Sequence, residues 1–172
     1  MGYYVQIEST NNGFLTNKCG TKDVADRAQN TSSETAGNNF ARVNSFKFDL
    51  FQPHNLGGAA TGSSSPFLQS VEIMMDDFET VMPVSLNTIN GHDRIKTLTL
   101  NLTGRRDNKE TLLQQYVMDD GILTTVEHIV PDQRDAQAQS HRGQIRLKLS
   151  FQKVTVSDKI TNSQGVMQTV AA

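Results

Sequence analysis

The sequence predicts a mainly β fold, a small barrel or sandwich of mostly antiparallel strands with one short helix. The clearest observation is the run of residues 143–156, in which apolar and polar side chains alternate. One face of this run would hold Ile145, Leu147, Leu149 and Phe151. Several shorter runs alternate in the same way, and strands with one buried and one wet face build sandwiches and barrels. No composition break divides the 172 residues, so one domain over residues 1–172 is expected.

The N-terminal part predicts a hairpin followed by a loop. Tyr3, Val5 and Ile7 alternate with polar neighbours, and Asn12-Gly13 is a strong signal for a tight turn. Residues 17–39 are polar and lack an apolar period, which predicts a flexible loop.

Two strands separated by a long loop are predicted next. The first covers residues 42–52, where Phe46, Phe48 and Leu50 alternate with polar residues. An extended Gly-rich loop follows at residues 52–66, and loops of this length are usually functional or disordered. The second strand is indicated by Val71, Ile73 and Met75.

Residues 80–90 fit two interpretations. A helix that begins near Thr80 and ends at Gly91 is favoured, and a hairpin strand is the alternative. The apolar residues that recur at helical spacing are Met82, Leu86 and Ile89.

The C-terminal half predicts strands again. Leu98, Leu100 and Leu102 mark one strand, and residues 112–130 contain one or two more around a break at residues 119–121. Residues 131–142 are a polar connection to the last strand.

The last strand changes its apolar parity near its end. After Phe151 the apolar positions shift to Val154 and Val156, which predicts an extra, bulged residue near Gln152 and Lys153. The remaining residues, 157–172, read as a C-terminal tail that orders only against a neighbour.

The composition limits which binding partners and which cellular compartment are expected. The formal net charge is −2 and no basic block is present, so nucleic acid is not an expected partner. Cys19 is the only cysteine, which excludes an intramolecular disulfide and suits a protein folded in a reducing cytosol. The N-terminus predicts a strand and no cleavable signal peptide, and no apolar run is long enough to predict membrane insertion.

Chemical sites are not indicated. The histidines His54, His92, His128 and His141 lack the close pairing of a zinc site. The adjacent carboxylates at residues 76–77 and 119–120 would point to opposite faces of a strand. Cys19 has no neighbour that marks it as a nucleophile. We therefore expect no catalytic, cofactor or metal site and no enzymatic activity.

The order of these segments resembles the Hcp (haemolysin co-regulated) tube proteins of bacterial type VI secretion, over most of the chain. The similar parts are the strand ending at Gln52-Pro53 before the Gly-rich loop, the segment of residues 71–92, the strand of residues 120–126 and the closing run of residues 149–154.

The resemblance implies a structural subunit that forms homohexameric rings, stacked into a hollow inner tube that is secreted and can carry effectors in its lumen. Its partners would be further copies of itself, the spike protein and contractile sheath of the machine, and effector cargo. It would assemble in the bacterial cytoplasm and then leave the cell without a cleavable signal peptide.

The resemblance also assigns roles to two groups of residues. The loop that stacks one ring on the next would contain Gln52, Pro53, His54, Asn55, Leu56, Gly57 and Gly58. The side chains expected to face the lumen are Gln144, Arg146 and Lys148, because a tube that releases cargo needs a polar wall.

Three alternatives remain open from the sequence. The first is a monomeric β-sandwich that binds a glycan or a peptide, although the chain has no Trp and only 3 Tyr to form a sugar-binding platform. The second is a phage-like tail tube protein. The third, a hydrolase on a jelly-roll fold, would need an acid and base cluster that the sequence does not indicate.

Overall fold

The fold consists of seven strands and one helix in the part of the chain that is described. A computed structural model describes residues 1–20, 39–51, 67–137 and 143–168. The elements are β1 (Gly2–Ser9), β2 (Ala41–Phe51), β3 (Phe67–Asp76), α1 (Val81–Asn90), β4 (Arg94–Arg106), β5 (Lys109–Ile129), β6 (Gln144–Asp158) and β7 (Gln164–Gln168).

Six of the strands form a closed ring. The strand order is β3-β2-β1-β4-β5-β6-β7, and β3 also pairs with β6, which closes the ring and leaves β7 as a branch on β6. All of the pairings are antiparallel. The predicted class, mainly antiparallel β with one short helix, is confirmed.

The core fills the interior of this ring. The apolar residues predicted for the inner faces of β1, β3, β4 and β6 are fully buried at Val5, Ile7, Val71, Ile73, Met75, Leu98, Leu100, Ile145, Leu147 and Leu149. Each such side chain contributes about 1.5–3 kcal/mol when it leaves water. Alternation in the sequence therefore identified the buried face over most of these strands. It was wrong at Tyr3, which is 39% exposed, and at Leu102, whose neighbours Asn101 and Thr103 are the buried residues.

The predicted turn after β1 is present, but its second arm is short. Gly13 has a φ of 73°, and the amide of Ser9 donates to its carbonyl at 2.8 Å. Beyond it, Phe14 makes one isolated bridge to Glu8. The chain then turns inward, and the side chain of Leu15 is fully buried. Of the loop predicted at residues 17–39, positions 21–38 lie outside the described residues.

Strand β2 follows the prediction to within one residue and bends near its start. Its register with β3 shifts between Val43 and Ser45. Phe46 and Phe48 are half-buried and meet the ring of Tyr116 edge to face, with centroid distances of 5.4 and 5.9 Å. These aromatic side chains fill the space between β2 and β5.

Residues 81–90 form the favoured helix, but of the three residues predicted for its apolar face only Met82 packs against the core. Val81, Ser85 and Thr88 are its buried residues, whereas Leu86 is 54% exposed and Ile89 is 37% exposed. Met82 and Val84 are partly buried against the core. The buried side of the helix therefore runs through Val81, Ser85 and Thr88, and Leu86 and Ile89 lie outside.

The helix start is held by contacts that periodicity does not reveal. The Thr80 hydroxyl makes no capping bond to the helix and donates instead to the carbonyl oxygen of Asn17 at 2.6 Å. The helix ends at Gly91 as predicted, where the Gly91 amide donates to the carbonyl oxygen of Asn87 at 2.9 Å.

Residues 109–129 form one continuous strand, so the predicted break at residues 119–121 is a local distortion and not an end. The turn between β4 and β5 consists of Asp107 and Asn108, with φ values of 51° and 62°. Two positive φ angles in a two-residue loop are typical of the type I′ hairpin turn.

The extra residue predicted near Gln152 and Lys153 is not present. The register of β6 with β5 is unbroken there, since Phe151 pairs with Gly121 and Lys153 pairs with Asp119. Instead, the alternation of buried and exposed residues shifts by one position in three adjacent strands, β4, β5 and β6, and the shifts lie side by side in one row of the sheet. The pairs of buried residues that flank this row are Ile95 and Leu98 on β4, Met118 and Gly121 on β5, and Phe151 and Val154 on β6.

The row contains a residue with a left-handed backbone. Asp120 has a φ of 53°, and such a residue inside a strand rotates the side chains that follow it. The three strands change their buried face together at this row. Before the row β6 pairs with β3, and from Lys153 onward β6 pairs with β7. We call this row the switch row, defined by Lys96, Thr97, Asp119, Asp120, Gln152 and Lys153.

Part of the predicted tail is a strand of the same sheet. Residues 164–168 form β7, which pairs with β6 from Lys153 to Ser157. The segment therefore orders against its own chain, contrary to the expectation that it would need a neighbour.

Candidate functional surfaces

The three residues predicted to face a lumen lie on one side of β6. Gln144, Arg146 and Lys148 are partly exposed and alternate with fully buried apolar residues. They therefore share the outer face of the ring of strands, as the alternation predicted. Their position relative to a lumen stays a prediction.

Arg146 connects three strands on this face. Its Nε lies 3.1 Å from a carboxylate oxygen of Glu72 on β3, and its Nη1 lies 3.1 Å from one of Glu127 on β5. All three side chains are about one-third exposed. Each ion pair therefore contributes at most about 1 kcal/mol, but together they fix the direction of the guanidinium.

The charged surface continues onto β2. Lys47 pairs in register with Glu72, and its Nζ lies 3.5 Å from a carboxylate oxygen of Asp49. We call this surface the four-strand polar face, defined by Lys47, Asp49, Glu72, Glu127, Gln144, Arg146 and Lys148. These seven residues carry three positive and three negative formal charges, and Asp76, which pairs in register with Gln144 on the same face, adds a fourth negative charge.

The four strands beneath this face end in two open edges. Within the described ranges, β2 pairs only with β3 from Ser45 to Phe51, and β5 pairs only with β6 from Leu123 to Ile129. Unpaired strand edges are templates for pairing with another chain. Helix α1 also contacts β5.

Apolar side chains are exposed near both edges. Leu50 on β2 is 53% exposed, and Val130 at the end of β5 is 57% exposed. An isolated exposed apolar residue is ordinary, but one at each open edge of a single sheet is consistent with contact between copies. The predicted stacking loop, Gln52 to Gly58, lies outside the described residues and stays a prediction.

The acidic pairs considered in the sequence have separate partners. Asp76 accepts a hydrogen bond from the Asn44 side-chain amide at 2.8 Å, and Asp77 contacts the imidazole of His128 at 2.8 Å. Asp119 accepts a hydrogen bond from the Thr97 hydroxyl at 3.1 Å. Neither pair converges on a common point. His54 and His141 lie outside the described residues.

Cys19 is enclosed by the fold. It is 7% exposed, and its Sγ lies 3.6 Å from the hydroxyl oxygen of Thr80. Burial raises the pKa of the Cys19 thiol, and the hydrogen bond with Thr80 opposes that shift without cancelling it. A neutral, enclosed thiol is a poor nucleophile.

The described residues contain no cluster that could hold a metal ion, meaning three or more His, Cys, Asp or Glu side chains that converge. Over the same ranges, no helix has the length and apolar character that a membrane span requires.

The sequence itself matches no family model and no curated protein. Solved structures, in contrast, are similar over nearly the whole chain. An Hcp protein crystal structure has a TM-score of 0.77 at 13% identity and covers 99% of both chains. The secreted protein Hcp3 from Pseudomonas aeruginosa has a TM-score of 0.69 at 14% identity, again with 99% of both chains covered.

A type VI secretion system effector from Yersinia pestis has a TM-score of 0.61 at 12% identity, with 96% of this chain and 98% of that chain covered. The identities are low, so these comparisons concern the path of the backbone. The chain has the fold of the Hcp proteins.

Proposed function

We propose that this chain is a structural subunit of the hollow inner tube of a type VI secretion machine. Six copies form a ring, rings stack into a tube, and the tube is secreted from the bacterial cytoplasm. The protein acts by assembly and not by turnover. The observation that carries the proposal is the four-strand polar face bounded by two open strand edges.

The two edges supply a route to ring closure. If the β2 edge of one copy pairs with the β5 edge of the next, the four strands continue from copy to copy as one sheet. The contact is heterologous, because it joins two different surfaces of identical subunits, and such contacts generate rings when the rotation closes. Leu50 and Val130 would be covered in this contact.

The polar face then becomes the wall of the bore. Its residues Gln144, Arg146 and Lys148 would be wet, and its interspersed charges of both signs would hold neither an acidic nor a basic effector strongly. The ion pairs of Arg146 keep this long side chain against the wall. Such a surface suits a tube that carries cargo and then releases it.

The other partners follow from the same role. The loop from Gln52 to Gly58 would contact the adjacent ring, the end of the tube would contact the spike protein, and the outside would contact the contractile sheath.

Electron microscopy of the purified chain tests the proposal. We expect annular particles with a central hole, and native mass spectrometry should give six times the 19.0 kDa mass of one chain. Monomers alone at concentrations where Hcp-like rings should form, on the order of tens of micromolar, would contradict the proposal and favour a monomeric binding module.

A matched pair of variants tests the edge contact. Val130 and Val166 are 57% and 58% exposed, but only Val130 lies at a proposed contact. We expect Val130→Glu to reduce the hexamer fraction and Val166→Glu to leave it unchanged. Because both positions are exposed, each monomer should keep its stability within about 0.5 kcal/mol. Equal loss of hexamer in both variants would contradict the edge contact.

A further inference from the structure

A cavity of about 530 Å³ lies where β1 begins beside the β4–β5 hairpin. No part of the proposed tube function uses it. The residues that line it are Met1, Gly2, Tyr4, Arg42, Arg105 and Glu110. Its volume is within the range of small-molecule sites, about 300–1,000 Å³.

The floor of the cavity is a buried aromatic ring. Tyr4 is 4% exposed and packs with Phe40, apart from the main core. A Cβ atom on Gly2 would lie 2.7 Å from Cε2 of Tyr4 and 2.8 Å from its hydroxyl oxygen. Only glycine therefore lets the ring lie against the start of β1, which makes the shape of the cavity depend on that residue.

One side of the cavity is a fixed carboxylate. Glu110 lies across the hairpin from Arg105, and its Oε1 accepts a hydrogen bond from the hydroxyl of Thr103 at 3.2 Å. Thr103 is fully buried. The Glu110 side chain is thus held by Thr103, and the structure shows no ion pair between it and Arg105.

The remaining polar groups are two arginines from different strands. Arg42 pairs in register with Tyr4, on the opposite side of β1 from the hairpin that carries Arg105. Both are exposed, and neither guanidinium has an ion-pair partner among the described residues. Two guanidiniums therefore line one cavity without a carboxylate partner among those residues.

We infer that this cavity binds the oxyanion group of a small organic molecule, a carboxylate or a phosphate, between Arg42 and Arg105. Guanidinium groups bind both oxyanions through paired hydrogen bonds. Tyr4 lies beneath the cavity and is 4% exposed, so the ligand is recognised through its charged group. Glu110 repels a second anionic group, so the ligand carries its negative charge at one end.

Isothermal titration calorimetry on the intact chain tests the inference, with inorganic phosphate and the monocarboxylate butyrate as separate probes at constant ionic strength. We expect saturable binding of at least one probe, with a Kd below about 10 mM. Arg42→Ala and Arg105→Ala should each weaken it about tenfold or more, since each removes charge-assisted hydrogen bonds. Binding of phosphate alone identifies a phosphate site, and binding of butyrate alone identifies a carboxylate site.

Arg106→Ala is the matched control. Arg106 is the next residue on the same hairpin and carries the same charge, but it does not line the cavity. We expect it to leave the Kd within about twofold, because the residual effect of a screened charge is small. No saturable binding of either probe, or equal weakening by Arg106→Ala and Arg105→Ala, would overturn the inference.

Two further variants separate binding from folding. Glu110→Gln removes the repelling carboxylate and should tighten the binding of either probe, a result that a merely unfolded or loosened protein cannot give. Gly2→Ala should displace the Tyr4 ring and weaken binding while the thermal unfolding midpoint stays near that of the wild type. Weaker binding in Glu110→Gln would contradict the proposed single-ended anion.

Discussion

The guanidinium of Arg94 contacts the carboxylate of Asp120 across the β4–β5 ladder. Nη2 lies 2.6 Å and Nε lies 2.7 Å from Oδ1 of Asp120. Both side chains are about half exposed, so the ion pair itself is worth at most about 1 kcal/mol. Its position is more informative, because Asp120 is the left-handed residue of the switch row, where three strands exchange their buried faces.

The backbone of Asp120 gives the first prediction. We expect Asp120→Val to lower the free energy of unfolding by about 1–3 kcal/mol, because a β-branched residue is strained at positive φ. Asp120→Gly should change it by less than about 1 kcal/mol, since relief of strain offsets the lost ion pair. Denaturant unfolding at one protein concentration measures both, and equal stability of the two variants would contradict the role of the backbone angle.

Gly121, the next residue, gives a second prediction through packing. A Cβ atom there would lie 2.4 Å from Cδ1 of Phe151 and 2.6 Å from the carbonyl oxygen of Ser150. The carbonyl oxygen of Ser150 belongs to the backbone of β6 and can move only if the strand shifts. We therefore expect Gly121→Ala to lower the free energy of unfolding by about 1–3 kcal/mol.

Gly165→Ala is the control for Gly121→Ala. It places the same methyl group in strand β7, where no atom lies within 4 Å of the added Cβ. We expect no loss of stability from it. A similar loss in both variants would show that the conformational freedom of glycine matters more than the contact with Phe151.

The strands were predictable because their chemistry is local. Ile145, Leu147 and Leu149 alternate with polar residues, and a period of two leaves only one way to bury an apolar face. The same rule located the Gln144, Arg146 and Lys148 side of β6. It could not identify the partners of Arg146, since Glu72 lies 74 positions away and no spacing rule connects them.

The errors occur where tertiary contacts override a local pattern. Met82, Leu86 and Ile89 have helical spacing, yet only Met82 packs against the core, and the buried side of the helix consists of Val81, Ser85 and Thr88. The switch row was misassigned for a similar reason. A parity change in one strand suggests a local bulge, and only the neighbouring strands reveal that the change is shared.

The cavity between Arg42 and Arg105 has no local signal at all. The two arginines come from strands that lie on opposite sides of β1, and their sequence separation resembles that of any two surface residues. The Asp107-Asn108 turn could have been identified, because Asp and Asn are the residues that best tolerate positive φ.

Ser85 in helix α1 gives a third prediction. Its side chain is fully buried, and its Oγ has no hydrogen-bond partner among the described residues. Ser85→Ala removes an unpaired polar atom and introduces a better helix former, so we expect it to raise the free energy of unfolding by about 1 kcal/mol.

Thr88→Val tests the same face with a paired hydroxyl. The Thr88 Oγ1 donates to the carbonyl oxygen of Val84 at 2.8 Å, so its removal should not stabilise the protein. A loss of stability in Ser85→Ala, measured by denaturant unfolding, would indicate that this hydroxyl is satisfied in solution, by a water molecule for example.

Asp93 gives the last prediction, on pH. Its carboxylate is 8% exposed and accepts hydrogen bonds from the backbone amides of Asn11 and Asn12 at 2.9 and 3.2 Å, and from both side-chain amides at 2.8 and 3.0 Å. Burial acts to raise the pKa of Asp93, but these hydrogen bonds outweigh it and leave the pKa below its usual value of 3.8. A lowered pKa in the folded state means that the carboxylate stabilises the fold above the unfolded-state pKa, and that this contribution is lost as the pH falls through the folded-state value.

We expect Asp93→Asn to lower the free energy of unfolding at pH 6 by about 1–3 kcal/mol, because buried donors lose a charged acceptor. The difference from the wild type should shrink as the pH falls below about 4. Asp107→Asn, in the exposed β4–β5 turn, makes the same chemical change without a buried network and should have little effect at either pH. A difference between Asp93→Asn and the wild type that stays constant with pH would mean that the charge of Asp93 does not hold the β1 turn to β4.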